Sequence, residues 1–348
     1  MMRAAVLEEI GKLRLKQVPV PEPGPGEVLV RIEANTICGT DLRIISGAKT
    51  AGVRPGVILG HEFAGRVAAV GRGVDGVPVG AQVTCSIVVS CQRCRACLSG
   101  REQLCENLVL FGYELDGGLA EYLLVPRIAM DHGNLVVLEK EIPATTLALA
   151  EPVSCCLNGA GQVAVAPGES VVVLGTGPIG LLHIALAKLA GATTILAAGR
   201  EGRLTAATDF GATCAVALTG EALTDEVRER THGRGADVVI VAVGDLALAN
   251  QALELAAIGG RVNYFAGFPK GKTASIDPNL IHYRELAVTG GSNARRADVR
   301  RAVELLSSGA LDVGRLVTHR FPLAELDAAV TAVARRDGLK VAVMPAAG

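Results

Sequence analysis

The rhythm of apolar and polar positions changes near residue 150. Before it, short alternating stretches such as Glu27-Val-Leu-Val-Arg-Ile-Glu33 and Gly65-Arg-Val-Ala-Ala-Val70 are broken by Pro and Gly, which predicts small antiparallel sheets. After it, continuous apolar runs alternate with helical patterns. Ser170-Val-Val-Val-Leu174 reads as a strand buried on both faces, Ile179 to Ala190 as a helix, Thr194 to Ala198 as a second strand and Glu201 to Phe210 as a second helix. Ala236 to Val243 and Gly260 to Phe265 continue the series, so the pattern predicts a doubly wound parallel sheet. From about Ile281 mixed elements return, with an amphipathic helix over Asp298 to Ser308 and a last strand over Leu339 to Met344. A terminal piece of this kind can fold back on the first domain, leaving the parallel sheet as an insertion.

Composition narrows the partners. The 348 residues suffice for about two domains with separate cores. A formal net charge of −1 without basic runs argues against a nucleic-acid surface, so a small molecule is the expected partner. The longest apolar stretch, Leu181 to Ala198, is interrupted by His183 and Lys188 and reads as helix then strand, not as a membrane span. With no Trp, 3% aromatics and 42 Gly, the fold depends on aliphatic packing and tight turns.

Four of the nine cysteines, Cys91, Cys94, Cys97 and Cys105, stand in one segment of polar and turn-prone residues with no apolar periodicity. Four thiolates at such spacing can close a tetrahedral shell around Zn²⁺ and leave no open position, which makes a structural site. The opening MMRAAVLEEI has neither a basic nor an apolar leader pattern, so the expected setting is a reducing cytoplasm.

Two further groupings carry chemistry. Gly175-Thr-Gly-Pro-Ile-Gly180 falls where the first strand of the parallel sheet turns into its helix, a placement that lets backbone N–H groups and a helix N-terminus meet a pyrophosphate. In the first domain, Cys38-Gly-Thr-Asp41, Gly60-His-Glu62 and Glu151-Pro152 offer a thiolate, an imidazole and two carboxylates. Mixed ligands of this kind suit a catalytic zinc with a replaceable water.

Together with Asp116-Gly-Gly-Leu-Ala-Glu-Tyr122, these motifs occur in the order seen in the zinc-containing medium-chain alcohol and polyol dehydrogenases, which the chain resembles over essentially its full length. Glu151 to Gly159, Asp277 to Glu285 and Val317 to Pro322 look most like the iditol (sorbitol) 2-dehydrogenase-like branch, with threonine dehydrogenase as a neighbouring branch. The resemblance implies a discontinuous GroES-like catalytic domain over 1–151 and 287–348, a Rossmann domain over 152–286, and an active site in the cleft. It implies two zinc ions per chain. Cys38, His61 and either Glu62 or Glu151 hold the catalytic one, and Cys91, Cys94, Cys97 and Cys105 the structural one. Asp41 is expected to fix the His61 tautomer and Thr40 to begin a proton relay. Many relatives have His three residues after this Thr. Here Arg43, which stays protonated, stands in that place and is read as a partner for a cofactor phosphate, a substrate oxygen or a surface carboxylate.

Cofactor contacts are expected from Gly175, Gly177, Pro178, Ile179, Gly180, Val243 and Ala266. NAD-binding domains carry an acidic residue about twenty positions past the glycine motif, where this chain has Gly199 followed by Arg200. Arg200 and Arg203 supply charged donors for a 2′-phosphate, so NADP is expected over NAD. The leading expectation is a dehydrogenase acting on a secondary alcohol of a polyol, cyclitol or sugar-derived substrate. The alternatives are oxidation of an amino-acid hydroxyl, as in threonine dehydrogenase, and a non-catalytic nucleotide-binding member. By resemblance the assembly is a homo-oligomer, dimer or tetramer, built through the segments Arg261 to Phe265 and Ala287 to Gly290.

Overall fold

In the computed structural model, which describes residues 1–345, the chain forms two compact units. One comprises Met1–Ser154 and the chain from Asn293 onward; the other is Cys155–Ser292. Both junctions lie beyond the sequence-based boundaries. The strand Ala287–Gly290 pairs in parallel with Ala256–Tyr264, so it belongs to the inserted unit and not to the catalytic one.

The first unit is built on a mixed sheet of parallel and antiparallel pairs. Its order runs Val317–Pro322, Lys340–Met344, Val28–Thr36, Glu62–Val70, Gln82–Cys85 and Leu135–Val137, with Tyr122–Val125 pairing to Val28–Thr36 off this path. Val28–Thr36 is buried at most positions because it is covered on both faces, and Ile32, Phe63, Val67, Leu119, Leu123 and Val343 fill the core around it. The terminal strand is parallel to Val317–Pro322 and antiparallel to Val28–Thr36, with Ala342 opposite Thr36. The late chain is thereby joined to the earliest strand of the sheet.

The second unit carries a six-stranded sheet in the order Cys214–Val216, Thr194–Ala198, Ser170–Leu174, Ala236–Val241, Ala256–Tyr264 and Ala287–Gly290, with every pair parallel. All five residues of Ser170–Leu174 are buried, as a central strand between helical layers requires. The GroES-like unit and this Rossmann-type sheet make an α/β fold. Chain order reverses direction at Ser170–Leu174, whose carboxyl end faces that of Ala236–Val241; such a switch point leaves room for a ligand above the strand ends.

Several elements differ from their expected limits. Glu201–Arg203 forms a 3-10 turn before the helix Leu204–Phe210. Ala256–Tyr264 begins earlier than expected because Ala256 pairs Ala236 before a bulge that includes Gly259 at φ +70°. The amphipathic helix runs Arg296–Ser307, and its buried Val299, Ala302, Val303 and Leu306 follow the helical spacing.

Candidate active site

Cys38 ends the run out of strand Val28–Thr36 and caps the short helix Gly39–Ile45 from an extended conformation. The Cys38 N–H donates to Asp41 Oδ2 at 2.8 Å. Asp41 Oδ1 lies 3.2 Å from His61 Nδ1, short of hydrogen-bond alignment, with both side chains buried. Asp41 therefore tethers two candidate ligands at once and directs the Nδ1 edge of the imidazole toward itself. Burial works against a charged His61, but Asp41 outweighs it and raises the imidazole pKa.

His61 follows Gly60, whose φ of +94° and close neighbours admit no side chain: an added Cβ would sit 2.6 Å from Asn35 Oδ1 and 2.8 Å from Leu119 N. This glycine aims His61 inward. Ligand atoms of Cys38, His61 and Glu62 lie within 4.8 Å of one another. A thiolate, an imidazole and a carboxylate so gathered fit a catalytic zinc. Glu151, at the start of the helix Ala150–Val163, is half-buried and lies outside this close group. Thr40 occupies the first turn of its helix, half-buried, with no side-chain hydrogen bond among the described residues.

Glu62 has buried partners that no neighbouring residue in the chain announces. Its Oε1 accepts from Lys340 Nζ at 2.6 Å and its Oε2 from the Thr36 hydroxyl. Glu62 is 0% and Lys340 6% exposed, so this is a desolvated ion pair. Burial alone would lower the Lys340 pKa; the Glu62 carboxylate reverses that and holds the amine charged. A metal taking Glu62 as ligand competes with Lys340 for the same carboxylate. Tyr113, also unforeseen, is 6% exposed with its ring 5.5 Å from that of His61, and burial keeps its phenol protonated.

The four-cysteine segment forms a separate lobe. Cys94 Sγ is 3.5 Å from Cys97 Sγ and 3.9 Å from Cys105 Sγ, and no disulfide forms among the described cysteines. Tetrahedral bonds of about 2.3 Å place sulfurs roughly 3.8 Å apart, so the cluster fits zinc. Backbone N–H groups of Arg93 and Cys94 pull the Cys91 thiol down to about 6, and those of Cys97 and Glu106 lower Cys94. The lobe is tied down by Glu102, which accepts from the Arg296 backbone N–H at 2.7 Å and from its guanidinium at 2.5 Å.

In the second unit, Gly175 has φ +111°, Gly177 caps the helix Pro178–Leu189, and Pro178 occupies its first turn. A Cβ on Gly180 would fall 1.7 Å from Gly175 O, so only glycine lets the helix approach the loop this closely. Ile179 follows in the first helical turn. Val243, 42% exposed, borders Gly175 at 3.2 Å from its ideal Cβ position, and Ala266 N–H donates to Val241 O. At the end of the neighbouring strand, a Cβ on Gly199 would lie 2.0 Å from Thr176 Oγ1 and 2.7 Å from Thr176 Cβ. Thr176 thus occupies the space that a residue-199 side chain would need. Arg200 is exposed and makes no side-chain hydrogen bond or ion pair among the described residues, and Arg203 Nη1 is 3.8 Å from the ideal Cβ position of Gly177. This cradle fits a dinucleotide phosphate.

Comparison with known proteins agrees with both halves. Residues 24–132 match the alcohol dehydrogenase GroES-like domain, and residues 178–308 match the zinc-binding dehydrogenase domain. The chain is 37% identical to an L-threonine 3-dehydrogenase of Pyrococcus furiosus over 313 residues, 88% of this chain and 87% of that protein. Among solved structures it resembles a zinc-binding dehydrogenase of Sinorhizobium meliloti 1021 bound to NADP, with 36% identity, TM-score 0.91 and 99% of each chain covered. It also resembles 2R,3R-butanediol dehydrogenase of Bacillus subtilis, with 28% identity, TM-score 0.89 and coverage of 99% of this chain and 100% of that one.

Proposed function

The chain belongs to the zinc-containing medium-chain alcohol dehydrogenase family, and from that premise we propose that it oxidises the secondary hydroxyl of a 2-amino-3-hydroxy acid of the threonine type to the ketone. The observation that carries this reading is the buried Cys38–His61–Glu62 cluster in a chain with extensive identity to an L-threonine 3-dehydrogenase. The polyol substrate expected from the sequence has less support, because curated relatives at 33–37% identity are L-threonine 3-dehydrogenases. A vicinal diol is the second reading, favoured by the likeness to butanediol dehydrogenase. In both, a polar group neighbours the reacting carbon.

Cys38, His61 and Glu62, with Glu151 as the alternative carboxylate, would hold a catalytic zinc, while the four cysteines would hold a second. Zinc so held supplies Lewis acidity to a substrate hydroxyl, and the nicotinamide is the hydride acceptor. Asp41 orients His61, and Lys340 restrains Glu62. The Thr40 hydroxyl is the first acceptor for the substrate proton, which Arg43 cannot pass on because it remains charged. Gly199, Arg200 and Arg203 favour NADP, since the carboxylate that repels a 2′-phosphate has no room beside Thr176. The edge strand Ala287–Gly290, with Val288 37% exposed, is the surface for a homo-oligomer, and the cytoplasm is the proposed compartment.

The test is cofactor reduction with L-threonine, butanediol and sorbitol, each with NADP⁺ and NAD⁺. Threonine should give the highest kcat/KM, a strong chelator should abolish turnover, and Arg200→Ala should erase most of the NADP⁺ advantage. Turnover of sorbitol alone, or better efficiency with NAD⁺, overturns the corresponding part.

A further inference from the structure

Beyond Cys38 the chain forms the helix Gly39–Ile45 and then turns through Gly47 at φ +77°. The Lys49 N–H donates to Arg43 O at 2.9 Å, closing this loop. Lys49 Nζ consequently sits over the face of Tyr113, 4.9 Å from the ring centroid, and the same ring is 5.5 Å from that of His61. One aromatic ring connects this amine to the candidate metal ligands.

Among the described residues the amine has no ion-pair partner in contact with it. Lys49 is half-buried, yet among the described residues its side chain makes no hydrogen bond or ion pair, and neither does that of Arg43. Burial and the nearby Arg43 both weaken its hold on a proton, opposed by Glu114 and Cys38. Glu114 is committed elsewhere, its Oε2 accepting from the Leu110 N–H at 2.9 Å. Two cations held near each other with Glu114 near them but in ion-pair contact with neither are only partly compensated, and an entering anionic group within contact distance would complete that compensation. The tyrosine face stabilises the ammonium but leaves its N–H donors available.

We propose that Lys49 is a specificity-determining residue that receives the carboxylate of the substrate while its hydroxyl is held at the Cys38–His61–Glu62 cluster. This rests on the amino-acid reading above and extends it by naming the group that separates an amino acid from a neutral alcohol. Arg43 acts as a supporting charge at the outer edge of the same loop.

L-Threonine and L-threonine amide form the decisive pair, since both retain the hydroxyl and the amine and only the first carries a carboxylate. In the zinc-loaded enzyme, Lys49→Met should raise KM for threonine by about tenfold or more, with kcat within about twofold and KM for the amide nearly unchanged. Lys49→Arg should recover most of the loss. Calorimetric titration of enzyme saturated with reduced cofactor should show the same selective weakening of threonine binding. Equal losses for both ligands, or none for either, overturn the proposal. Failure of the amino-acid reading is distinguishable: the native enzyme would then turn over butanediol but not threonine. In that case Lys49-dependent binding of threonine still supports the seat, and absence of such binding overturns it.

Discussion

The two candidate zinc centres differ in how the chain builds them. The lobe draws all four ligands from residues 91 to 105, and short-range backbone N–H groups already favour the thiolate form of Cys91 and Cys94. The other centre takes Cys38 from a helix cap, His61 from a glycine turn and Glu62 from a strand, then restrains Glu62 through Lys340, 278 residues further on. A closed tetrathiolate needs only local geometry. A site whose ligands must exchange during turnover needs groups fixed by the whole sheet, and here one of those ligands has a competing partner.

Replacing Cys38 by Ser is the most severe way to separate the two centres. It should reduce kcat/KM by at least about a thousandfold, in line with the several kcal/mol that a metal contributes to a developing oxyanion. Metal analysis should fall from two zinc ions per chain to one with the thermal midpoint nearly unchanged. Near-normal activity would place the chemistry elsewhere.

Lys340→Met tests the long-range restraint. Removing one partner of a buried pair leaves Glu62 uncompensated and should cost about 3–5 kcal/mol of stability in the metal-free protein. Added zinc should restore part of this, because the freed carboxylate can turn to the metal. A metal-free melting curve matching that of the native protein would show that the pair contributes nothing.

Cys97→Ser should act on the lobe alone. One zinc is lost, and the midpoint falls by about 3 °C, the equivalent of roughly 2 kcal/mol for a chain of this size. Threonine kcat should change by less than about threefold if the lobe has no part in the chemistry. A collapse of kcat in correctly folded protein would abolish the division of labour.

The last test concerns pH and lies in neither centre. His183 is fully buried in the helix Pro178–Leu189, its ring 4.6 Å from that of Phe265, with neither ring nitrogen hydrogen-bonded among the described residues; burial lowers its pKa to about 3. The unfolded chain binds a proton there below about pH 6.5, so this contribution is fully present above that pH and is lost as pH falls toward 3, by about 1.4 kcal/mol per unit. His183→Leu should flatten that slope in denaturant titrations between pH 6 and 4. An unchanged slope would mean that the histidine is solvated.

Features set by neighbouring residues were legible in the sequence. The cysteine spacing marked the lobe, and Gly175 to Gly180 marked the loop because its placement between strand and helix was itself readable from Ser170-Val-Val-Val-Leu174. Features set by strand register were not. Lys340 resembled any charged residue near the start of a terminal strand, and its pairing with Glu62 depends on Ala342 lying opposite Thr36. Likewise, Thr176 filling the space beside Gly199 follows from the separation of two adjacent strands. Glu62 and Glu151 were equivalent as letters; three-dimensional placement gathers only Glu62 with Cys38 and His61.

The Glu62–Lys340 pair also sets a schedule. A ribosome adding about 5–20 residues per second releases the carboxylate roughly half a minute before the lysine that will neutralise it. Throughout that interval the nascent sheet lacks its closing strand and carries Cys38, His61 and an unrestrained Glu62. Zinc that arrives during synthesis meets a more anionic trap than zinc offered to the finished chain, so loading by the cell and reconstitution in the test tube are two different reactions.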